Sequence, residues 1–289
     1  MRRPQSAESS LPVIDAHHHL WNYDPVEYAW IGDQMSVLRR DFTPADLHVE
    51  MSAAGVTGAI AVQARQSIEE TEWLLDLASR NTFLLGVVGW VHLCDAENLR
   101  RQLDRFAGHT KLKGVRHVLQ DEPDDNFMLR RDFLRGIAAL AGTGLVYDIL
   151  IYERHLPQTL RFVDQFPNQV FVLDHLAKPR IREHVLQPWA DNLRELARRA
   201  NVFCKLSGMA TEADWNHWSE PDLRPYFETA LHAFGPSRLM FGSDWPVLEV
   251  AGSYGGWASM VHGWVERLTR SEQEAILSGT ARRAYRLDC

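Results

Sequence analysis

The chain has 289 residues, 45% of them hydrophobic and 24% charged, which is the balance expected of an ordinary globular protein. Its 31 Lys and Arg against 38 Asp and Glu leave a formal net charge of −7, and no long basic run is present to neutralise a phosphate backbone, which argues against a nucleic-acid partner. Cys94, Cys204 and Cys289 are scattered and form no CxxC pair, so a disulfide framework is excluded and a reducing, cytoplasmic compartment is expected.

In chain order, residues 1–10 (MRRPQSAESS) are polar and read as a frayed tail rather than a secretory leader or membrane anchor. No linker or shift of composition follows, so 11–289 is expected to form one domain. The first apolar run, 11–16, leads into His17, His18 and His19. On a strand, alternate side chains share a face, so His17 and His19 point one way with Asp15, and His18 points the other. Two neutral imidazoles converging from one strand end are half of a metal site or a proton-transfer pair, whereas an isolated HxH is more often only a polar junction.

Further apolar, β-branched runs lie at 56–64, 84–91, 111–119, 145–151, 170–176, 202–208 and 238–244. Most are nearly continuous, as parallel strands covered on both faces should be. Between and after them, segments with helical spacing occupy 44–55, 68–80, 98–107, 127–144, 157–166, 189–200, 223–234 and 257–268. Pro44 suits a first helical turn, and Gly55 with Gly142 or Gly144 suits a helix end. Eight alternations predict a (β/α)8 TIM barrel; a doubly wound open sheet competes, but no GxGxxG loop follows the first strand. Two excursions break the rhythm, at 20–43, rich in Trp and Tyr, and at 209–222.

A barrel of this type assembles its active site at the C-terminal ends of its strands. The polar residues that close the runs are Asp15, His17 and His19, then Arg116 and His117, Tyr147 and Asp148, Asp174 and His175, Lys205 and Ser207, and Ser243 and Asp244. Burying so many polar groups unpaired would be costly, so they are expected to face a common cavity.

At these positions the sequence resembles the amidohydrolase superfamily, and within it the branch of sugar-lactone and related lactone hydrolases. The resemblance rests on IDAHHHLW at strand one, VLDHLAKP at strand six, CKLSG at strand seven and FGSDWPV at strand eight, and it runs nearly end to end. It implies a distorted barrel and hydrolysis of a cyclic ester. Carried over by residue, His17 and His19 match the strand-one pair, His175 the later histidine and Asp244 the strand-eight carboxylate. The chain lacks a lysine placed to bridge two metals, so at most one divalent ion is expected, zinc first, held by His17, His19, His175 and Asp244. Members of this branch are thought to manage partly or wholly without metal, which leaves the ion's necessity open.

Ester hydrolysis needs a base for water, a group that stabilises the developing oxyanion, and a proton for the leaving alkoxide. Asp244 is the expected base; His175, His17 and His19, or an ion they hold, polarise the carbonyl. Arg116, Tyr147 and Lys205 are candidates to hold the substrate, although Lys205 could equally pair with a neighbouring acid. Tyr28, Trp30 and Trp245 are candidates to stack on or wall a sugar ring. If Arg116 and Tyr147 point inward, His117 and Asp148 point away and are structural. The leading substrates by resemblance are L-fucono-, L-rhamnono- or L-galactono-lactone. Hydrolysis of an anionic lactone from aromatic catabolism would require more arginines than Arg116. A metal-dependent decarboxylase would want another histidine near strand seven, for which only His217 is nearby. A binder without turnover has no need of Asp244 beside the histidines. Oligomeric state is not readable from these features.

Overall fold

The computed structural model of the chain describes residues 11–287, so the tail expected at 1–10 lies outside the described residues. Eight parallel strands pair in sequence order: β1 Ile14–His18, β2 Gly58–Val62, β3 Leu84–Gly89, β4 Leu112–Val118, β5 Val146–Leu150, β6 Phe171–Leu173, β7 Val202–Leu206 and β8 Leu239–Phe241. The Asp244 N–H donates to the His17 carbonyl at 2.8 Å and the His19 N–H to the Trp245 carbonyl at 2.7 Å, which draws the last strand to the first and nearly closes the barrel. Helices alternate with the strands as predicted: α1 Pro44–Ala53, α2 Ile68–Arg80, α3 Ala96–Phe106, α4 Arg131–Ala139, α5 Leu156–Val163, α6 Trp189–Ala197, α7 Glu220–Phe234 and α8 Tyr254–Val265. None of the described helices is long and apolar enough to cross a membrane.

Local chemistry explains the boundaries. Thr43 and Asp46 form a reciprocal capping box at the start of α1 with Pro44 in the first turn, and Gly55 takes φ +70° just past its end. The helical spacing read across 127–144 is interrupted, because Arg130 is extended (ψ 141°) between a short turn at Phe127–Leu129 and α4. Beyond the last predicted helix, α9 (Arg270–Glu274) and α10 (Thr280–Tyr285) follow. With Leu287, the α10 residues Ala281, Ala284 and Tyr285 pack against Ile14, Val88, Val146 and Met240 inside the barrel. Lys113, at the start of β4, donates to the Arg286 carbonyl, which places this plug at the N-terminal ends of the strands, opposite the expected site.

The barrel is distorted where the register slips between β1 and β2, β2 and β3, and β3 and β4. The first slip matters most. Asp15 pairs with Ala59 but His18 pairs with Ala61, so β1 holds an extra residue and its parity flips between them. His17 and His19 therefore face inward while Asp15 faces the helices, which corrects the expectation that all three share a face.

The long segment after β1 is held to the end of β2 by Glu70 on α2. The Glu70 carboxylate accepts from the Ala64 N–H at 3.0 Å, the Arg65 N–H at 2.7 Å and the Tyr28 hydroxyl at 3.4 Å. Tyr28 is thus buried in loop packing against Trp21, not turned toward a substrate as expected. Burial pushes the Glu70 carboxyl up to about 7 from an ordinary 4.5, against the pull of the backbone donors and Arg65. The folded protein therefore holds this proton more tightly than the unfolded chain. Stability should fall as pH rises from about 4.5 to 7, by on the order of 3 kcal/mol from this group. Glu70→Gln should remove that slope while keeping the loop in place, as read by thermal melts between pH 5 and 8; an unchanged slope would rule Glu70 out as its source.

Candidate active site

Four devices bring the strand ends together. The bulge turns His17 and His19 inward, and the His19 Nδ1 lies 2.8 Å from the Val62 carbonyl, which fixes the ring with its proton on Nδ1 and Nε2 free. Asp15 accepts from the Ser243 N–H at 2.8 Å, the Ser243 hydroxyl at 2.6 Å and the Tyr254 hydroxyl at 3.1 Å, tying the end of β8 to β1 from behind. Asp244 follows with φ +60°. Past β6, His175, Leu176, Ala177 and Lys178 take φ of 51°, 55°, 60° and 48°, four left-handed residues in succession. Such a run costs about 1–2 kcal/mol per residue and persists only where the surroundings over-determine it.

Gly208 is part of that determination. It has φ +63°, and a Cβ there would lie 2.6 Å from the His175 ring. Gly208→Ala should therefore push the imidazole out of place, with a loss of roughly 1–3 kcal/mol in stability and a larger proportional loss of activity. A variant with unchanged kcat/KM would show that the close approach is dispensable.

The Asp244 Oδ1 sits among three imidazoles, 3.7 Å from the His17 Nε2, 3.5 Å from the His19 Nε2 and 3.7 Å from the His175 Nε2. The His17 and His19 Nε2 atoms are 3.2 Å apart, and the Ser207 hydroxyl lies 2.9 Å from the His175 Nδ1. Burial disfavours the Asp244 carboxylate, but the three histidines outweigh it and hold the group below the usual carboxylate range. Burial lowers His175 to about 4, so its ring is neutral near pH 7.

These separations suit one metal ion. Tetrahedral zinc with bonds of 2.0–2.1 Å sets neighbouring ligand atoms about 3.3 Å apart, and His17, His175 and Asp244 offer ligand atoms all within 4.8 Å of one another. His19, expected as a fourth donor, stands beside this group with its Nε2 3.2 Å from the His17 Nε2 and 3.5 Å from the Asp244 Oδ1, but is not one of the three. The donor set and its spacing therefore fit the ion that the resemblance implies.

Beneath the histidines lies a buried charged layer. The Asp174 Oδ2 accepts from the Arg116 Nη1 at 3.0 Å, and the Asp174 Oδ1 pairs with the Lys205 Nζ at 2.9 Å. Lys205 also donates to the Asp148 Oδ2 at 2.6 Å, and the Tyr285 hydroxyl, rising from the plug helix, meets both Asp148 oxygens at 2.9 and 2.8 Å. Burial would raise the Asp174 carboxyl, yet Lys205 holds it well below the usual range; Asp148, more weakly served, is pushed by burial up to about 6.

This layer corrects several expectations. Lys205 is fully buried under His17 and reaches no cavity, so it cannot hold a substrate hydroxyl. On β5 the parity is the reverse of that expected. Asp148 faces the barrel interior in register with Arg116, and Tyr147 faces outward among Phe133, Phe162 and Phe171, remote from any substrate. Trp245 is also buried, with its Nε1–H on Glu249 at 2.8 Å and its ring edge-on to Phe42, behind the pocket rather than walling it. His117 is structural as expected, bonded to Glu122 at 2.6 Å and stacked on Phe127. His18 points away from the site with both ring nitrogens unpartnered.

A cavity of about 370 Å³ opens above these groups, with His19, Arg116, His175 and Asp244 at its base. Its walls are Trp30 and Met35 from the first long loop, Tyr152 after β5, and Lys178, Glu212 and Trp215. Trp30, 43% exposed, is the one expected aromatic that reaches the cavity. Lys178 pairs with Glu212 at 3.6 Å. Sequence reasoning missed this pair and Trp215, although Lys178 lies within the quoted VLDHLAKP motif and Glu212 and Trp215 lie within the 209–222 excursion. His217, in the same excursion, is 80% exposed and bonded only to Asp214, which removes the extra histidine a decarboxylase would need.

Comparison with known proteins bears on this geometry. The sequence pattern of a family described as amidohydrolase matches residues 14–287. An L-fucono-1,5-lactonase of Burkholderia multivorans is 45% identical over 285 residues, covering 95% of this chain and 96% of that protein. An L-fucono-1,5-lactonase of Burkholderia ambifaria is 36% identical over 282 residues, covering 95% and 96%. The crystal structure of an amidohydrolase from Burkholderia multivorans with bound zinc superposes with a TM-score of 0.92 at 45% identity, covering 96% of this chain and all of that one.

Proposed function

The chain belongs to the amidohydrolase family, and on that premise we propose that it opens L-fucono-1,5-lactone, or a closely similar neutral aldonolactone, to the aldonic acid. The observation that carries this reading is Asp244: a carboxylate within 3.7 Å of three imidazole nitrogens, at the base of a cavity large enough for one sugar ring. The 45% identity to an L-fucono-1,5-lactonase supports the choice of substrate.

In this mechanism Asp244 takes the proton of a water as its oxygen attacks the lactone carbonyl carbon. The bond from that carbon to the ring oxygen then breaks, and Asp244 returns the proton to the departing alkoxide. Arg116 lines the base of the cavity with its Nε–H unpartnered, and its guanidinium is anchored by Asp174 and the Gln63 carbonyl; it is positioned to stabilise charge developing on the carbonyl oxygen. A zinc ion held by His17, His19, His175 and Asp244 would supply Lewis-acid polarisation of that carbonyl. Trp30, Tyr152 and Trp215 offer aromatic faces to the C–H face of the ring, and Lys178 and Glu212 offer a donor and an acceptor to its hydroxyls. Arg116 and Lys178 are the cations of the cavity lining, and both are engaged by carboxylates, which favours a neutral ring over a dicarboxylate.

The test is acid release from a panel of L-fucono-, L-rhamnono- and L-galactono-lactones, corrected for spontaneous opening and repeated after chelation. L-fucono-1,5-lactone should lead the panel. Turnover of none of them, with carbon dioxide released from an aromatic acid instead, would overturn the reading.

A further inference from the structure

Above its base, the cavity has an apolar side and a polar side. In barrel order, the segments after β8, β1 and β2 wall it with Val247, Val250, Trp30, Met35 and Ala64, and no charged side chain stands among these. The segments after β4 to β7 wall the other side with Gln120, Asp121, Tyr152, Lys178, Thr211 and Glu212. Val118, Leu150 and Trp215 interrupt that second arc, but its polar groups are incompletely paired. The Gln120 Oε1 is buried with no hydrogen-bond partner, and Lys178 meets Glu212 only at 3.6 Å. Buried acceptors in native proteins nearly always have a donor, so an orphan on a cavity wall marks a place for a ligand hydroxyl.

The apolar side has a local cause. Val247–Val250 is a 3₁₀ turn, in which residues three apart share a face. Val247 and Val250 therefore both meet the cavity, while Leu248 is buried in the core and Glu249 turns back to accept from the Trp245 Nε1–H at 2.8 Å. The Leu248 N–H donates to the Asp244 carbonyl at 3.0 Å, so this turn is tied to Asp244 itself. A second short turn, Asp33–Leu38, packs against it and brings Met35 to the same corner, with Leu38 buried behind.

We propose that Met35, Val247 and Val250 form a subsite for the C6 methyl group of a 6-deoxyaldonolactone, and that this corner selects such lactones over their hydroxymethyl counterparts. This rests on the reading of the cavity as a lactonase site with Asp244 beside the leaving oxygen. In a 1,5-lactone the ring oxygen that departs is bonded to C5, and C5 carries C6; the hydroxyls on C2, C3 and C4 occupy the rest of the ring edge. With the ring oxygen at Asp244, C6 is the substituent next to the turn that follows Asp244, and the three hydroxyls fall to the arc from Gln120 to Glu212. A methyl group in the corner exchanges water for three apolar side chains. A hydroxymethyl group would bring in a hydroxyl for which those side chains hold no partner, and burying it unpaired is unfavourable.

L-fucono- and L-galactono-1,5-lactone differ only at C6, methyl against hydroxymethyl, and so isolate the corner. In wild type, kcat/KM should favour the L-fucono compound by roughly ten- to a hundred-fold, the range an apolar pocket achieves against an added hydroxyl. Val250→Thr keeps the side-chain shape and supplies the missing partner, and Met35→Gln does the same from the facing turn. Each, checked for folding by thermal melt, should shrink the ratio by about three- to tenfold. A wild-type ratio near one, or a ratio that neither variant moves, would overturn the subsite. The corresponding 1,5-lactams carry the same ring substituents and resist hydrolysis, so their binding is titrated in parallel by calorimetry. A tighter L-fucono-lactam whose advantage shrinks in Val250→Thr upholds the subsite even where no lactone turns over, and then only the proposed activity fails. Turnover of both lactones without preference sinks the subsite alone, and binding of neither lactam would also overturn it.

Discussion

Replacing Asp244 by asparagine is expected to lower kcat/KM for lactone opening by about 10²–10⁴-fold while leaving the fold intact. The carboxylate is the group placed to accept a proton at the base of the cavity, and an amide of the same shape cannot do so. The fold should survive for a backbone reason. Asp244 sits at φ +60°, where asparagine is among the few residues that settle readily, and the anchor of this turn is the backbone N–H bonded to the His17 carbonyl, not the side chain. Asp244→Ala should be equally inactive but less stable, by about 1 kcal/mol, because alanine tolerates the left-handed region poorly. Near-normal turnover in either variant would remove Asp244 as the base.

Lys205→Met should have the largest effect on stability. It deletes the ammonium shared by Asp148 and Asp174 in a fully buried layer, and removing one partner of a buried ion pair costs about 3–5 kcal/mol. The loss should depend on pH. The Asp148 carboxyl, already pushed up to about 6 with Lys205 in place, ionises less readily still without it, so the deficit relative to wild type grows as pH rises above about 6. The double variant Lys205→Met with Asp148→Asn should recover much of it, since Arg116 still serves Asp174. Denaturant melts of the three proteins at pH 5 and pH 7.5 check this. Additive losses in the double variant would mean that the two residues do not act as a pair.

Fold and site differ in how far they could be read from the residues. The barrel was legible because its strands are continuous apolar runs and its helices carry their own stop and start signals, such as Thr43, Pro44 and Gly55. Asp244 and the three histidines around it were legible because histidines and a carboxylate closing apolar runs have few bland explanations in that order. What failed was parity. A single extra residue in β1 sent Asp15 behind the barrel, and alternation alone cannot reveal a bulge. On β5, reading Tyr147 inward ignored a signal that was present. A lone aspartate and a lone lysine in the middle of buried strands, Asp148 and Lys205, can be accommodated most cheaply by pairing with each other in the interior.

The aromatic candidates failed for another reason. Tyr28 and Trp245 are large enough to serve either the pocket or the core, and only the path of the 20–43 segment decides. Lys178, Glu212 and Trp215 reach the cavity because a left-handed run after β6 and an irregular excursion after β7 curl over the mouth. No periodic pattern encodes such turns.

The central claim, that this pocket opens a neutral sugar lactone with Asp244 moving the proton, is tested most directly by following L-fucono-1,5-lactone by NMR with wild-type protein and with Asp244→Asn side by side. The account predicts conversion to the aldonate well above the spontaneous rate for wild type and the spontaneous rate alone for the variant. Equal rates for the two proteins, whether both fast or both spontaneous, would contradict it.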